Sequence, residues 1–439
     1  MYKLSPVRSK SGDVVILVDE VTLVPLLYPM LYSLTKGVFQ TFNTQLSNAH
    51  AIKEFYDFWQ SKFGCSFCYS FYKAKTNPQV AIEELESFYD YLCNSSNIFN
   101  SEIAQRNFET VNKISNCVVS YLSYLNDEFV NSRYEHSTGV EMISLHNYIS
   151  NRLRSFRKTF SSTLKRSKII FGSSIQPSFD SMTSEMVYDL FSLLKPSTIK
   201  EENAINPFTN KKVQFRNFII FRLLLNYGLR ISELLLLEIS SVKNTTRGRH
   251  ALVITNASDN TDSRKRLSIK NIHSHRVLEL TDTDYNLILT YIESVRPKSS
   301  NNTFLFISSK KPFRALDYQS IRFACSLLNK NFLKVYPNHF DRNNIDSIRH
   351  LHLHTFRHTW ATLTLSALYK AKRAELIRSC KMSGVAFSEK GLMDEAKDEL
   401  RKLGGWTVDS QIPNLYAARF IQEKANQSNI ARINSGILD

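Results

Sequence analysis

The chain has 439 residues, a formal net charge of +16 and 43% hydrophobic residues, with 29 Phe, 20 Tyr, few Gly and few Pro. That length predicts more than one domain, and that hydrophobic share excludes a disordered polypeptide. The positive excess points to a polyanion partner, nucleic acid before others, although charge alone identifies no chemistry.

From the start, residues 12–18 (GDVVILV) read as a strand, and the run Val21–Thr35 is too short and too proline-rich to span a bilayer. No signal peptide is legible, so a cytoplasmic, nucleoid-associated protein is expected. Cys65 and Cys68 form a CxxC without a second pair to complete a zinc site, so the six cysteines are expected as free thiols. Ile52, Phe55, Phe58 and Trp59 fall on one helical face, and further helices are predicted over 81–92, 107–125 and 139–160. A basic stretch, Arg152–Lys168, then leads into FGSSIQPSFDSM, a Ser/Gly/Pro linker. The domains expected are therefore an N-terminal arm at 1–45, a helical domain at 46–172, a linker at 173–182 and a second domain at 183–439.

In the second domain, strands are predicted at 251–255, 266–269 and 277–280, with helices at 283–295, at 318–329 and from 353 onward. The fold class is mainly α with a small β-sheet: an all-helical domain followed by an α+β domain.

Three segments carry chemistry. In LLLNYGLRISELLLLEI (223–239), Gly228 ends a buried helix in a left-handed turn and Ser232 is expected to cap the next. Arg230 is left in the corner, either paired to Glu233 for structure or aimed into a site. In LHLHTFRHTWATLTLSAL (351–368), Leu353, Phe356, Trp360, Leu363 and Ala367 form one apolar helix face. His354 and Arg357 stand one turn apart beside it, a pairing suited to a phosphoryl group. His354 and His358 have zinc-helix spacing, but the glutamate of HExxH is missing and Arg357 would set a cation beside the metal. The third segment, LGGWTVDSQIPNLYAARF (403–420), ends a helix at two glycines and carries Trp406 and Tyr416.

In this order the segments resemble the tyrosine recombinase (phage-type integrase) family. Arg230 and Glu233 match its GLRxSEL motif. His354, Arg357 and His358 match HxLRHT with Phe356 at the leucine position. Trp406 falls at the His/Trp position of the LGH motif, and Tyr416 at the nucleophile. The likeness covers roughly 180–425, and the helical part before it resembles the family's core-binding domain. The family's hairpin lysine corresponds to Lys270, with Lys265 as the alternate, in SRKRLSIKNIHSHRVLEL (263–280). Two departures stand out. Pro413 and one extra residue lie between Trp406 and Tyr416, and a long insert with Lys370, Lys372, Arg373, Arg378 and an amphipathic segment (394–403) precedes Trp406.

The resemblance implies site-specific recombination of duplex DNA through a 3′-phosphotyrosyl intermediate, by the integrase of a mobile element or prophage. It further implies a homotetramer on two DNA sites, possible accessory DNA-bending proteins, and no cofactor or metal. The chemistry is coherent by itself. A phenol is about one part in a thousand ionised at neutral pH, so cations must assist a tyrosine nucleophile. Fixed arginines, His354 and Trp406 would stabilise the charge gathering on phosphate oxygens, while the lysine protonates the leaving oxygen. The alternatives are a type IB topoisomerase and a non-catalytic DNA-binding protein on the same scaffold.

Overall fold

The computed structural model describes all residues except 1, 10–11, 95–107, 130–137, 172–179, 199, 245–247, 258–266, 268, 270–271, 299–301, 342, 345, 384–388, 390 and 436–439. The chain forms two compact units, Met1–Ser173 and Ser174–Asp439. It is mainly helical with a small antiparallel sheet in each unit. No described helix is long and apolar enough to cross a membrane.

The first unit begins with a hairpin, β1 (Tyr2–Ser9) and β2 (Gly12–Asp19), in which Pro6 faces Val15. The sequence reading found β2 but not β1, because a central proline lowers strand character even though an edge strand tolerates it. Helices follow: α1 (Leu27–Tyr32), α2 (Phe42–Phe63), α3 (Phe67–Lys73), α4 (Gln79–Ile82), α5 (Leu85–Asn94), α6 (Phe108–Glu128) and α7 (Gly139–Phe171). The helix expected over 81–92 is broken into α4 and α5 by a turn at Glu83–Glu84. The face Ile52/Phe55/Phe58/Trp59 is buried as expected, in an aromatic core with Tyr56, Phe67, Phe71, Phe88 and Tyr121. Edge-to-face ring pairs organise that core, and the buried Tyr56 and Tyr121 hydroxyls bond each other at 2.9 Å. Tyr2 and Leu17 are buried in the same core, so the hairpin is packed into this unit. Helix α7 runs past the expected end at Phe160, since Lys and Arg are good helix formers and nothing there breaks the helix.

The second unit contains α8 (Ser184–Leu194), α9 (Lys211–Asn226), α10 (Ile231–Leu235), strands β3 (Val242–Asn244), β4 (His250–Ile254) and β5 (Arg276–Leu280), then α11 (Asp282–Thr290), α12 (Tyr318–Val335), α13 (Leu353–Ser383), α14 (Leu392–Gly404) and α15 (Ile412–Asn434). The sheet order is β3-β4-β5, all antiparallel. Its two long strands lie where the sequence put them. The third strand, β3, pairs with the other side of β4, and of the strand expected at 266–269 residues 266 and 268 lie outside the described residues while 267 and 269 belong to no strand.

The main core joins residues of α9, the sheet and α13, with Phe221 stacked on Phe356 at 5.1 Å. A smaller core joins α13, α14 and α15 through Trp360, Ala361, Leu365, Tyr369, Leu392, Ala396, Leu400, Tyr416 and Ala417. Here the buried face of α13 differs from expectation: Leu363 and Ala367 are exposed, and Ala361, Leu365 and Tyr369 are inside. The cause is α14, the amphipathic part of the insert. It lays Leu392, Ala396 and Leu400 on α13 and so selects the i, i+4 row beginning at Ala361. The insert's basic residues Lys372 and Arg373 are paired, to Glu395 and Glu399 and to Glu389 respectively.

Candidate active site

Two glycine turns build the site. Gly228, at φ +57°, ends the corner after α9, and the position of a Cβ there lies 2.1 Å from the Trp360 ring. Gly405, at φ +60°, ends α14, and a Cβ there would lie 2.9 Å from the Ser274 Cα. Only glycine fits either place. Both turns, with Gly404, aim backbone carbonyls inward, and these carbonyls hold the arginines.

Arg230 is itself the N-cap of α10, so the cap expected at Ser232 lies two residues earlier. Its backbone N–H donates to Glu233 Oε2 at 2.9 Å, the carboxylate taking up a donor that the helix start leaves open. Its guanidinium donates to Glu233 Oε1 (2.6 Å), Ser274 Oγ (2.9 Å) and the Gly405 carbonyl (3.0 Å). Both readings of Arg230 therefore hold together: it is ion-paired to Glu233, and that pair fixes it at the site while its side chain remains partly exposed. Glu233, 1% exposed, also accepts from Arg276 on β5 at 3.0 Å. Burial pushes the Glu233 carboxyl up, but Arg276 and Arg230 outweigh it and hold the group below its usual range.

Arg357 is 5% exposed and donates to the carbonyls of Gly228 and Gly404, the latter at 2.6 Å. Trp406 lies over its guanidinium at 4.4 Å and Trp360 at 5.8 Å. Burial, then the neighbouring charge of Arg230, lowers the Arg357 pKa to about 9. His354 is exposed, beside an open groove of about 350 Å³ lined also by Arg322, His350 and His352. So His354 and Arg357, expected side by side, differ in depth: the arginine reaches under the helix to the glycine carbonyls, while the histidine stays at the surface. His352 caps α13, its Nδ1 accepting from the Thr355 N–H at 3.0 Å.

Tyr416 is 2% exposed, near the start of α15. Its hydroxyl meets His358 Nδ1 at 2.8 Å, and its ring lies 6.2 Å from that of Trp406. Burial pushes the phenol up to about 12, and Arg357 pulls it partly back. Burial lowers His358 to about 4, followed by the charges of His354, His352 and Arg357.

The structure thus brings Arg230, Arg357, Trp406 and Tyr416 together around Gly228 and Gly404–Gly405, with His354 at the open side. Lys270 and Lys265 lie outside the described residues, on the connection between β4 and β5. The sequence reading did not assign roles to His358, Ser274 and Arg276. His358 was signalled by its place in the HxLRHT motif and Arg276 by its place at the start of the strand RVLEL, and Ser274 by nothing local. Among the described residues no cluster of three or more His, Cys, Asp or Glu is placed to hold a metal ion.

The mainly helical second unit with its small sheet carries this arginine and tyrosine set, and within it residues 197–371 match the model of the phage integrase family. The match takes in Arg230, Glu233, His354, Arg357 and His358 and ends before Trp406 and Tyr416. A solved structure of XerH site-specific recombinase bound to palindromic difH substrate, a post-cleavage complex, is similar at 14% identity and a TM-score of 0.49, over 94% of this chain and 87% of that one. A pre-cleavage complex of XerH bound to difH substrate is similar at 15% identity and a TM-score of 0.34, over 79% of this chain and 96% of that one. No curated protein matches the sequence.

Proposed function

We propose that this protein is a site-specific tyrosine recombinase, the integrase of a mobile element or prophage, cutting and rejoining double-stranded DNA. The observation that carries the reading is the fixing of Arg230 and Arg357, both in the stretch that the phage integrase family model matches, on glycine carbonyls around a buried tyrosine. Preorganised cations of this kind stabilise charge that develops on phosphate oxygens.

In the proposed reaction Tyr416 Oη attacks the scissile phosphorus, and the bond from phosphorus to the 5′ oxygen breaks. The 3′ phosphate stays on the tyrosine, and Lys270, or Lys265, protonates the departing oxygen. Arg230, Arg357, His354 and Trp406 hold the non-bridging oxygens. A 5′-hydroxyl from a second duplex reverses the step, conserving the bond energy, and a homotetramer on two DNA sites brings the duplexes together. Accessory DNA-bending proteins and a nucleoid location belong to the same proposal.

The test is a library of nicked duplexes with randomised arms, incubated with the protein in EDTA and resolved under denaturing conditions. Wild type captures a covalent adduct, whose sequencing defines the target, and Tyr416→Phe captures none. An adduct that survives the substitution shows that the nucleophile is wrong. With the captured target, joining of two duplexes is expected. Relaxation of supercoils without joining would make the protein a type IB topoisomerase instead.

A further inference from the structure

We infer that His358 is a catalytic residue, its Nδ1 taking the proton from Tyr416 Oη as that oxygen attacks phosphorus. The inference rests on the recombinase reading and names the group that activates its nucleophile. Arginines at the site stabilise phosphate charge, but a guanidinium has no lone pair to accept a proton. A neutral imidazole has one, and Nδ1 of His358 lies 2.8 Å from the phenol oxygen, which has a proton to donate to it. The two rings lie 6.0 Å apart at 48°, so the histidine meets the hydroxyl along its edge and is not stacked on the ring.

Position along the helix supports the role. His358 is one turn beyond His354 and next to Arg357, so one stretch of α13 presents a phosphate-facing side chain, an anchored cation and a proton acceptor. The charged and titratable groups facing His358 are His354, His352 and Arg357 from α13 and its cap, Asp180 from the segment before α8, and Tyr416 from α15. Burial first, then the neighbouring histidines and Arg357, keeps the imidazole neutral at physiological pH, with a pKa of about 4, so it enters the reaction able to accept. A phosphodiester held by Arg230 and Arg357 adds negative charge to that of Asp180 and raises the proton affinity of the ring.

The step balances. The bond from phosphorus to Oη forms, that to the 5′ oxygen breaks, the phenolic proton moves to Nδ1, and the 5′ oxygen takes a proton from a separate ammonium donor. In the rejoining step the imidazolium returns its proton to the departing tyrosine.

The experiment uses the full-length protein and the nicked duplex captured by wild type. Adduct formation is measured from pH 5.5 to 9 for wild type and His358→Gln. DNA binding is measured in parallel, together with a second substrate bearing sulfur at the 5′ bridging position. Gln holds a hydrogen bond but accepts no proton. Adduct formation should fall roughly 100-fold, the deficit should persist with the sulfur leaving group, and the variant's rate should climb steadily with pH while that of wild type stays flat near neutrality. Equal rates, or recovery with sulfur, overturn the inference, the latter because the defect would lie at the leaving group. If the variant fails to bind the duplex, the wild-type profile decides: a tenfold rise per pH unit through neutrality means that hydroxide is the base and overturns it, and a flat profile supports it. Failure of wild type to capture any duplex instead sinks the recombinase reading, and this inference with it, whatever the variant does.

Discussion

Substituting Gly228 with Ala tests the corner on which both arginine segments depend. The backbone there sits at φ +57°, a conformation that costs a residue with a Cβ about 1–2 kcal/mol. The new Cβ would also lie 2.1, 2.2 and 2.7 Å from three atoms of the Trp360 indole. That ring is 6% exposed and backed by Trp406 at 6.0 Å, so it has little room to yield. Overpacking of this kind costs about 1–3 kcal/mol. Together the two effects predict a loss of about 2–5 kcal/mol, or roughly 2–4 °C of melting temperature per kcal/mol for a unit of this size. Tryptophan fluorescence reports the transition, because Trp360 and Trp406 both lie in the second unit. A Trp360→Leu background supplies the control. There the clash is gone and Gly228→Ala should cost only the backbone strain, leaving a coupling of about 1–3 kcal/mol in the double-mutant cycle. A cost under about 1 kcal/mol in the native background, or the same cost in both, refutes the packing argument.

Glu233→Gln should destabilise the second unit at neutral pH by on the order of 3 kcal/mol, since it breaks a buried pairing with two arginines. Because the Glu233 carboxyl is held below its usual range in the folded protein, its stabilisation is complete above the unfolded value of about 4.3 and is lost as pH falls through the lowered folded value. Urea melts from pH 6 to 3 should therefore show wild type losing more stability on acidification than the variant, and parallel curves would count against the pairing. Arg230→Lys should cut adduct formation by about 10²–10³ fold, because one ammonium replaces the fork that reaches Glu233, Ser274 and Gly405 together. A wild-type rate would show that the fork is dispensable. Glu389→Gln should speed amide hydrogen exchange in the outer half of α15, as Glu389 accepts from Tyr369 and Arg373 and faces Lys424 of that helix. Unchanged exchange beyond Phe420 would show that the contact does not secure the helix.

Much of this site was legible because its residues lie in short segments with strong local signals. Gly228 and Gly404–Gly405 punctuate helices, Arg230 follows Gly228 directly after Leu229, and His354 and Arg357 stand one turn apart on one helix. The depth of each side chain was not legible. His354 and Arg357 are three residues apart on one helix, yet one is exposed and the other buried, because the Gly228 and Gly404 carbonyls that draw the arginine inward come from remote parts of the chain. The same limit applies to Leu363 and Ala367. Their spacing fits an apolar stripe, but α14, packing from the insert, chooses the neighbouring row. The partnership of His358 with Tyr416 spans 58 positions, and no local pattern encodes it.

The charge inventory of the site gives a last physical reason to read it as a place for an anion. Arg230, Arg276 and Arg357 converge on one buried carboxylate, Glu233, which bonds two of them directly. Those four groups carry two net positive charges. The glycine carbonyls relieve part of that excess as dipoles but cancel none of it, and burial first, then the charge of Arg230, lowers the pKa of Arg357. A core built for stability alone would not concentrate like charges so deeply, since removing charge from such a place is often neutral or stabilising. A phosphodiester supplies the missing negative charge and accepts donors from several directions at once, and a pentacovalent phosphorus with charge growing on its oxygens fits the arrangement better still. On that argument the site is electrostatically unfinished without an anion, with the buried, protonated Tyr416 beside His358.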